Sequence, residues 1–315
     1  LAAGNTVVLK PAEQTPLTAL YLGNLINQAG FPPGVVNIVS GIGTEAGEAL
    51  ITHPDVDKIA FTGSTRTGQH IMRQAAGTLK RISLELGGKS PHIIFADADL
   101  KSAMRAIGAA IFYNQGEVCI AGSRLFVEKP LYEQALEAAS QAAARMKVGD
   151  PFAEDTRVGA LVSEQHWKRV DEYVKLGVSE GATVVAGGGP ADLGGRGFFY
   201  QPTVLAGVNN SMRVAQEEIF GPVLSVIPFE DEAEVLSLAN DTQFGLAAGL
   251  WTQNVGKAHR VARAIKAGTV YINAYGVLDA AVPFGGYKMS GLGRENGEEG
   301  IAMYTELKAV WTGLK

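Results

Sequence analysis

The chain has 315 residues and a formal net charge of −5, and 46% of its residues are hydrophobic against 19% charged. This length favours two lobes over one hydrophobic core, and the acidic balance argues against a nucleic-acid groove, which needs a basic face. Charged residues interrupt every apolar stretch, so no membrane-spanning segment is predicted. The five histidines are scattered without metal-ligand spacing, so the sequence predicts no metal site.

The first residues, LAAG, have the pattern of a helix end closed by Gly4, with no helix before them. This pattern predicts that the natural chain begins further upstream, and a short N-terminal tail is the alternative. The single cysteine, Cys119, excludes an internal disulfide and favours a reducing compartment, for which we predict the cytoplasm.

Strands and helices alternate along the first 86 residues. Strand patterns occur at 6–9, 35–39, 58–64 and 81–86, and helical patterns at 16–29, 41–53 and 66–76. This alternation with short connections predicts parallel strands and right-handed crossovers. The predicted fold class is therefore α/β, with a doubly wound, parallel-sheet dinucleotide-binding domain whose ligands lie at the carboxyl ends of the strands.

A second α/β unit begins at residue 87. The sequence predicts helices at 100–113 and 131–146, strands at 223–229, 249–252 and 269–273, and an exposed Gly-rich loop at 186–197. Residues 305–313 alternate inward and outward side chains, which predicts an edge strand. We therefore divide the chain into a partial dinucleotide-binding domain (1–86), a second α/β domain (87–289) and a C-terminal return segment (290–315).

The stretch NQGEVCIAGSR, residues 114–124, contains the only thiol. Asn114, Gln115 and Gly116 break the helical pattern just before Cys119. Such a break can present a nucleophilic thiol into a cleft, near backbone N–H groups that lower its pKa and stabilise an oxyanion. Free cysteine is also a common small core residue, so a buried structural thiol is an equal alternative on this pattern alone.

A carboxylate, Glu85, lies near the end of the otherwise apolar strand RISLEL. Burial at this place would raise its pKa and suit it to general-base catalysis. The alternatives are an exposed edge position or a buried ion pair with Lys89, and the local pattern alone favours them.

Two further stretches predict phosphate and ribose contacts. FTGSTRTG, residues 61–68, places Gly63 and Ser64 at a helix start, where backbone N–H groups bind anions; an ordinary strand-to-helix turn is the alternative. VVLKPAEQTP ends a strand with Lys10 and Glu13, where a carboxylate binds ribose hydroxyls; a surface ion pair is the alternative.

Two loops combine rigid backbone with large aromatic residues. Phe220 lies beside Gly-Pro in EEIFGPV (217–223), and Phe284 lies beside Gly-Gly in PFGGYKMSGLGRE (283–295). Aromatic residues on rigid loops often wall a pocket. An aromatic plug beneath a loop is the alternative for each.

Together, and in this order, these stretches resemble the NAD(P)-dependent aldehyde dehydrogenase superfamily, and most of all its broad-specificity members. The similar runs are VVLKPAEQTPLTAL, AGFPPGVVNIVSG, KIAFTGST, LELGGKSP, NQGEVCIAGSR, EEIFGPV and PFGGYKMSGLGRE, and they extend from residue 1 to the end of the chain. The resemblance implies that residues 87–289 form a catalytic domain. It also implies that the dinucleotide-binding domain is incomplete, because the family has a substantial portion before LAAGNTVVLKP.

The resemblance assigns chemistry to three residues. Cys119 matches the nucleophile that attacks the aldehyde to give a thiohemiacetal, from which hydride transfer leaves a thioester. Glu85 matches the base that activates water to hydrolyse the thioester, and Glu295 matches a glutamate that relays protons to that base. The implied function is oxidation of an aldehyde to the carboxylic acid.

The resemblance implies NAD as the cofactor, with NADP as the alternative. Lys10 and Glu13 match the adenine-ribose pair, and Glu218 matches the nicotinamide-ribose carboxylate. The residue His166 falls near a position where relatives have a glutamine that touches the cofactor. The implied cofactor-binding set is Lys10, Glu13, Gly63, Ser64, Leu86, Gly87, Glu218 and Phe220.

The resemblance also implies a mostly apolar substrate pocket. From it we predict a preference for medium or bulky apolar aldehydes over charged ones. The implied pocket walls are Phe112, Tyr113, Val118, Ile120, Gly276, Val277, Leu278 and Phe284.

The family portion without a counterpart in this sequence includes an asparagine that donates to the oxyanion, and a hairpin that pairs with a neighbour's C-terminal strand. The implied partners are therefore a small aldehyde and further copies of the chain in a dimer or tetramer, with neither nucleic acid nor membrane. Two interpretations stay open. One is a shortened but functional dehydrogenase; the other is an impaired form with thiol esterase activity or only a binding or structural role.

Overall fold

A seven-stranded sheet forms the centre of this computed structural model, which describes residues 1–314. The strands are β1 (Val7–Leu9), β2 (Val36–Ile38), β3 (Lys58–Thr62), β4 (Arg81–Glu85), β5 (Pro91–Ile94), β6 (Arg124–Glu128), β7 (Thr183–Ala186), β8 (Thr203–Ala206), β9 (Val223–Phe229), β10 (Phe244–Gly245), β11 (Ala247–Trp251), β12 (Thr269–Ile272), β13 (Tyr287–Lys288) and β14 (Gly291–Leu292). The α-helices are α1 (Leu17–Gln28), α2 (Glu48–Thr52), α3 (Thr65–Ala75), α4 (Leu100–Phe112), α5 (Tyr132–Arg145), α6 (Glu164–Ser179), α7 (Arg213–Gln216), α8 (Glu232–Asn240), α9 (Val255–Ala264) and α10 (Gly297–Ala302).

The large sheet has the strand order β12-β11-β5-β6-β9-β8-β7. All neighbouring strands in it run parallel except β7, which pairs antiparallel with β8. A parallel sheet needs cover on both faces, and two separate clusters of buried apolar residues provide it, one around Phe126 and one around Leu125. The α/β class predicted from the sequence is confirmed.

The first 86 residues form two pairs of parallel strands rather than one continuous sheet. β1 pairs with β2, and β3 pairs with β4. Among residues 1–314, no strand joins β1 to β3. The return segment contributes β14, which pairs antiparallel with β4 and sets Gly291 opposite Glu85. The C-terminal segment therefore reaches back to the strand that contains the predicted base.

Four helices begin at side chains that cap them. Each cap accepts a hydrogen bond from the backbone N–H three residues on, which satisfies a donor that a helix start leaves free. The capping residues are Ser64, Ser163, Asp231 and Asn254.

The predicted edge strand at 305–313 is not formed, since residues 305–314 have no regular structure. An extended segment needs a neighbouring strand to bond, and none of the described residues supplies one. The division of the chain into domains at residues 86 and 289 stays a prediction. The last residue of the predicted return segment, 315, lies outside the described residues. Among residues 1–314, no helix is both long and apolar enough to span a bilayer.

Candidate active site

Left-handed backbone presents the only thiol. After α4 ends at Phe112, Asn114, Gln115 and Gly116 take φ values of 49°, 58° and 71°, and the chain turns away from the helix axis. Beyond Cys119, the N–H of Gly122 donates to the Ala110 carbonyl at 2.9 Å. The turn and this return contact hold the thiol segment against the end of α4.

Three segments meet at the thiol with backbone in contact. A Cβ placed on Gly88 would lie 2.2 Å from the Cys119 carbonyl oxygen, and one placed on Gly116 would lie 2.2 Å from the Gly221 carbonyl oxygen. Such distances exclude any side chain, so glycine is required at both positions. The glycines in LELGGK and NQGEVC therefore allow the close approach of the three segments.

Burial, together with the negative charges of Glu218 and Glu85, raises the pKa of the Cys119 thiol to about 11. Hydrogen bonds from the N–H groups of Ile120 and Cys119 act in the opposite direction but are outweighed. The backbone N–H groups therefore lower the pKa of the thiol, as the sequence predicted, but by less than burial and the carboxylates raise it. A lone thiol near two carboxylates reacts only when a base or a bound partner assists its ionisation.

Glu85 is buried at the end of β4, and neither of its carboxylate oxygens has a hydrogen-bond partner. Burial, together with the charge of Glu295, raises the pKa of this carboxyl to about 8, and Arg294 opposes the shift. The Lys89 ammonium is also buried without a partner. The structure therefore has neither the exposed carboxylate nor the Glu85–Lys89 ion pair, and it leaves a carboxyl that can exchange a proton near neutral pH.

Glu295 reaches this region through a backbone bridge. Its N–H and carbonyl exchange hydrogen bonds with Phe284, each of 2.7 Å. The same stretch brings Gly285 against the base, because a Cβ there would lie 2.9 Å from Glu85 Oε1. Residues 283–295 thus pack against the Glu85 carboxylate.

Glu218 binds the backbone of the LELGGK turn. Its Oε1 accepts a hydrogen bond of 3.0 Å from the Gly88 N–H, and a Cβ on Gly87 would lie 2.1 Å from its Oε2. Burial raises the pKa of this carboxyl, while the Gly88 N–H and the charges of Lys89 and Arg169 lower it. The carboxylate therefore lies in a cradle of bare glycine backbone beside Cys119.

Lys10 and Glu13 come together at the carboxyl ends of β1 and β2. The Lys10 ammonium is 3.3 Å from Glu13 Oε1 and donates to the Gly41 carbonyl at 3.0 Å. Glu13 Oε1 accepts from the Gly43 N–H at 2.5 Å. The N–H of Glu13 itself, the Gly43 N–H and the Lys10 ammonium hold the pKa of this carboxyl below its usual range. The ion pair is present, and it also ties the GIG turn to the strand end where a ribose is expected.

The predicted phosphate turn is formed, but its hydroxyl is engaged. Ser64 Oγ accepts from the Thr67 N–H at 3.2 Å and lies 2.9 Å from Thr67 Oγ1. The N–H of Gly63 donates to the Glu85 carbonyl at 3.0 Å, and Leu86 packs on Gly68 of α3. This turn therefore connects the start of α3 directly to the strand that carries Glu85.

The predicted pocket walls fall into three groups. Val118, Ile120 and Phe284 belong to one apolar cluster that also contains Cys119. Phe112 is fully buried in the core between the sheet and α5, so the structure does not bring it to an accessible surface. The remaining predicted wall residues are exposed, namely Tyr113, Gly276, Val277 and Leu278.

Sequence reasoning missed the role of Arg124, the last residue of NQGEVCIAGSR. Its guanidinium is fully buried and donates to the carbonyls of Lys89 and Ala239, each at 2.9 Å, and to Asn210 Oδ1 at 3.0 Å. A charged residue inside a motif of small residues was the available signal. Arg124, the first residue of β6, thus fixes the segment that leads into β5 beside β6.

Two residues of α6 were also missed as contacts. Arg169 Nη2 donates to the Glu218 carbonyl at 2.8 Å, and His166 Nε2 lies 2.6 Å from the Phe220 carbonyl. Their spacing of three places them on one helix face, but nothing in the local pattern indicates which loop that face meets.

Comparison with known proteins shows which family the chain resembles. The profile of the Aldehyde dehydrogenase family matches residues 1–310. The chain is 52% identical over 316 residues to the putative aldehyde dehydrogenase DhaS of Bacillus subtilis (strain 168), covering 100% of this chain and 63% of the relative. It is 52% identical over 312 residues to the mitochondrial aldehyde dehydrogenase of Rattus norvegicus, covering 98% of this chain and 60% of the relative.

A solved structure is similar over nearly the same extent. The NAD⁺ complex of an aldehyde dehydrogenase from Bacillus cereus superposes with a TM-score of 0.96 at 51% identity, covering 98% of this chain and 63% of that one. The chain thus spans 60–63% of the length of these relatives. Both the sequence match and the structural match cover almost the whole described chain, and the protein belongs to the aldehyde dehydrogenase family.

Proposed function

We propose that the protein oxidises aldehydes to carboxylic acids with NAD, through a covalent intermediate on Cys119. The observation that carries the proposal is the meeting of three segments at Gly88. Its backbone touches the Cys119 carbonyl and donates to the Glu218 carboxylate, and Glu85 lies three residues before it with both oxygens unpartnered. A nucleophile, a base and a cofactor-facing carboxylate thus lie on adjoining backbone.

The residues present fit the cofactor at its two ends. Lys10 and Glu13 offer an ammonium and a carboxylate at the GIG turn, and Glu218 lies in a glycine cradle that any Cβ would fill. Carboxylates at such places accept hydrogen bonds from ribose hydroxyls, which favours NAD over the 2′-phosphorylated form. When bound, NAD supplies the acceptor for the aldehyde hydride.

The chain's own residues carry the remaining steps. After the Cys119 thiol has released its proton to solvent, the thiolate sulfur bonds to the aldehyde carbon, and the Cys119 backbone N–H supports the resulting oxyanion. After hydride loss, Glu85 takes a proton from water as the water oxygen attacks the thioester carbon. The C–S bond then breaks, the acid leaves, and the thiolate is restored. The buried carboxyl of Glu85 passes the proton on towards Glu295 and solvent.

The test compares aldehyde-dependent NADH formation, followed by absorbance, with ester hydrolysis in the absence of NAD. Cys119→Ser should abolish both activities. Glu85→Gln should lower turnover by about 100-fold or more while still allowing one acylation per chain. Glu154→Gln, an exposed glutamate in a surface loop, is the matched control and should leave both activities unchanged. Full activity in Cys119→Ser would overturn the mechanism.

A second function, ester hydrolysis without the cofactor, rests on a separate observation. Cys119, Glu85 and Gly88 lie within the buried part of the chain, whereas the cofactor residues Lys10 and Glu13 lie on a unit without buried residues. Hydrolysis needs only the first group. Ester hydrolysis without NADH formation for any aldehyde would favour this function and exclude the first.

We further propose a preference for medium or bulky apolar aldehydes. The thiol packs in an apolar cluster with Val118, Ile120 and Phe284, where a charged substrate would lose hydration without gaining a partner. Values of kcat/KM for a matched pair of aldehydes, one charged and one apolar, test the preference. Equal values would contradict it.

We also propose that the protein forms a homo-oligomer in the cytoplasm. The segment at 305–314 exposes apolar side chains along its length, including Trp311 at 95% and Leu307 at 100%, and such a segment is suited to pair with a second copy. A lone thiol, which can form no disulfide within the chain, suits a reducing compartment. Light scattering should give more than one chain per particle, and Trp311→Asp should shift the particle towards the monomer. Cell fractionation tests the compartment, and we expect the protein in the cytoplasmic fraction.

A further inference from the structure

His166, near the start of α6, reaches from the helix to the loop that follows Glu218. Its backbone N–H donates to Ser163 Oγ at 3.2 Å, which fixes the first turn of the helix. Its Nε2 lies 2.6 Å from the Phe220 carbonyl oxygen. Because a carbonyl oxygen only accepts, Nε2 bears the hydrogen, and this contact selects the tautomer. The two rings also meet edge to face, with centroids 6.0 Å apart.

Phe220 has a backbone conformation that needs such support. Its φ of 60° lies in the left-handed region, which costs a residue with a Cβ roughly 1 kcal/mol or more. Arg169, one turn along α6, donates to the Glu218 carbonyl at 2.8 Å. Two side chains on one helix face therefore bind the carbonyl of the strained residue, Phe220, and the carbonyl of Glu218, two residues before it.

The same helix start also contacts the thiol segment. Glu117, two residues before Cys119, accepts a hydrogen bond of 3.0 Å from the Val162 N–H, and its Oε1 is 3.6 Å from His166 Nε2. The Gly116 backbone touches Gly221 directly. His166 thus lies where the thiol segment and the 218–221 segment meet, and most of its side chain is inaccessible to solvent.

We propose that His166 is a positioning residue that holds segment 218–221 in its strained conformation. Through it, His166 sets the place of the Glu218 carboxylate and the Phe220 ring beside Cys119. The hold on the segment rests on contacts within the chain. Its consequence for the nicotinamide half of NAD rests on the proposed function.

Hydrogen–deuterium exchange of the whole chain, without any ligand, tests the hold on the segment. His166→Leu keeps an apolar side chain but removes the donor, whereas His166→Gln keeps an N–H donor at the end of the side chain. Peptides that contain residues 217–223 should exchange about tenfold faster in His166→Leu, since one buried hydrogen bond contributes up to about that factor. His166→Gln should restore slow exchange. His259→Leu, an exposed histidine on α9, is the control and should match the parent.

The NAD affinity of the same four proteins, measured by calorimetry, tests the consequence. His166→Leu should bind NAD about tenfold more weakly, and His166→Gln should lie within about threefold of the parent. If 217–223 exchanges equally in parent and His166→Leu, the inference is overturned. If the parent does not bind NAD although exchange changes as expected, the proposed function fails and the positioning role stands.

Discussion

Two regions of the chain differ sharply in how they are packed. None of residues 1–50 is buried, whereas every residue from 83 to 95 is. The first region contains β1, α1 and β2 and exposes apolar side chains such as Leu17 at 77%. The second contains Glu85, the Gly87–Gly88 cradle and β5 at the centre of the large sheet. The residues proposed to bind the adenosine end of a cofactor therefore lie on a weakly packed scaffold, and the proposed reacting groups lie on a closely packed one.

The difference follows from topology. Residues 83–95 run from the middle strand of a three-stranded sheet into an inner strand of the large sheet, which has apolar clusters on both faces. β1 and β2 are three-residue strands that pair only with each other among the described residues, and a two-stranded unit with one helix cannot bury much apolar surface. The experiments below test this difference in packing between the two regions.

The largest effect is expected at the fully buried Arg124. Arg124→Leu leaves the carbonyls of Lys89 and Ala239 and the amide of Asn210 without their donor, at a cost of roughly 3–5 kcal/mol in the free energy of unfolding. Denaturant unfolding measures this loss. Arg105→Leu, at an exposed position of α4, is the control. If both variants lower the free energy of unfolding by a similarly small amount, the hydrogen bonds of Arg124 do not stabilise this region.

A matched pair of leucines compares the two regions directly. Leu84→Ala, in the buried stretch, should lower the free energy of unfolding by about 2–5 kcal/mol because it leaves a cavity. Leu17→Ala, on exposed α1, should change it by no more than about 0.5 kcal/mol. Chemical denaturation of both variants gives the comparison, and equal losses would show that α1 is as firmly packed as β4.

Glu85 should make stability depend on pH. The folded carboxyl has its pKa raised to about 8 from its ordinary value of 4.5, so the folded chain binds this proton more tightly than the unfolded chain. Its contribution is therefore fully present below pH 4.5 and is lost as the pH rises through 8. Glu85→Gln cannot ionise, so its stability relative to the parent should increase by roughly 1–3 kcal/mol between pH 5 and pH 9.

Unfolding of the parent and Glu85→Gln at both pH values, with Glu154→Gln as the exposed control, measures this term. A constant difference between parent and Glu85→Gln across that range would mean that Glu85 is paired or hydrated in the folded protein.

The smallest effect concerns the reactivity of the thiol. Burial raises the pKa of Cys119 to about 11, so its thiolate fraction should rise about tenfold for each pH unit between 7 and 10. Because the chain has one cysteine, the rate of alkylation by iodoacetamide reports this group alone. A rate that levels off near pH 8 would indicate an exposed thiol.

Much of the fold follows from local pattern. The 7-residue strand at 223–229 and the helices at 100–112 and 132–145 lie within two residues of their predicted bounds, since apolar periodicity is strong there. The segment at 305–313 has no regular structure within a single chain, because alternation shows that a segment can pair but cannot supply the partner. The α/β alternation of residues 1–86 is likewise confirmed, but which strands pair depends on partners from elsewhere, since β14 of the return segment completes the β3–β4 unit.

For the site, the sequence identified the residue types and tertiary structure decided their state. A lone thiol after a glycine turn and a carboxylate in an apolar strand are visible as patterns, and their order along the chain carries the family resemblance. That Glu85 lacks any partner, that Gly88 touches both Cys119 and Glu218, and that α6 holds Phe220 depends on segments up to 130 residues apart. Burial and charge set the pKa values of such groups, and both are sums over neighbours that only the folded chain brings together.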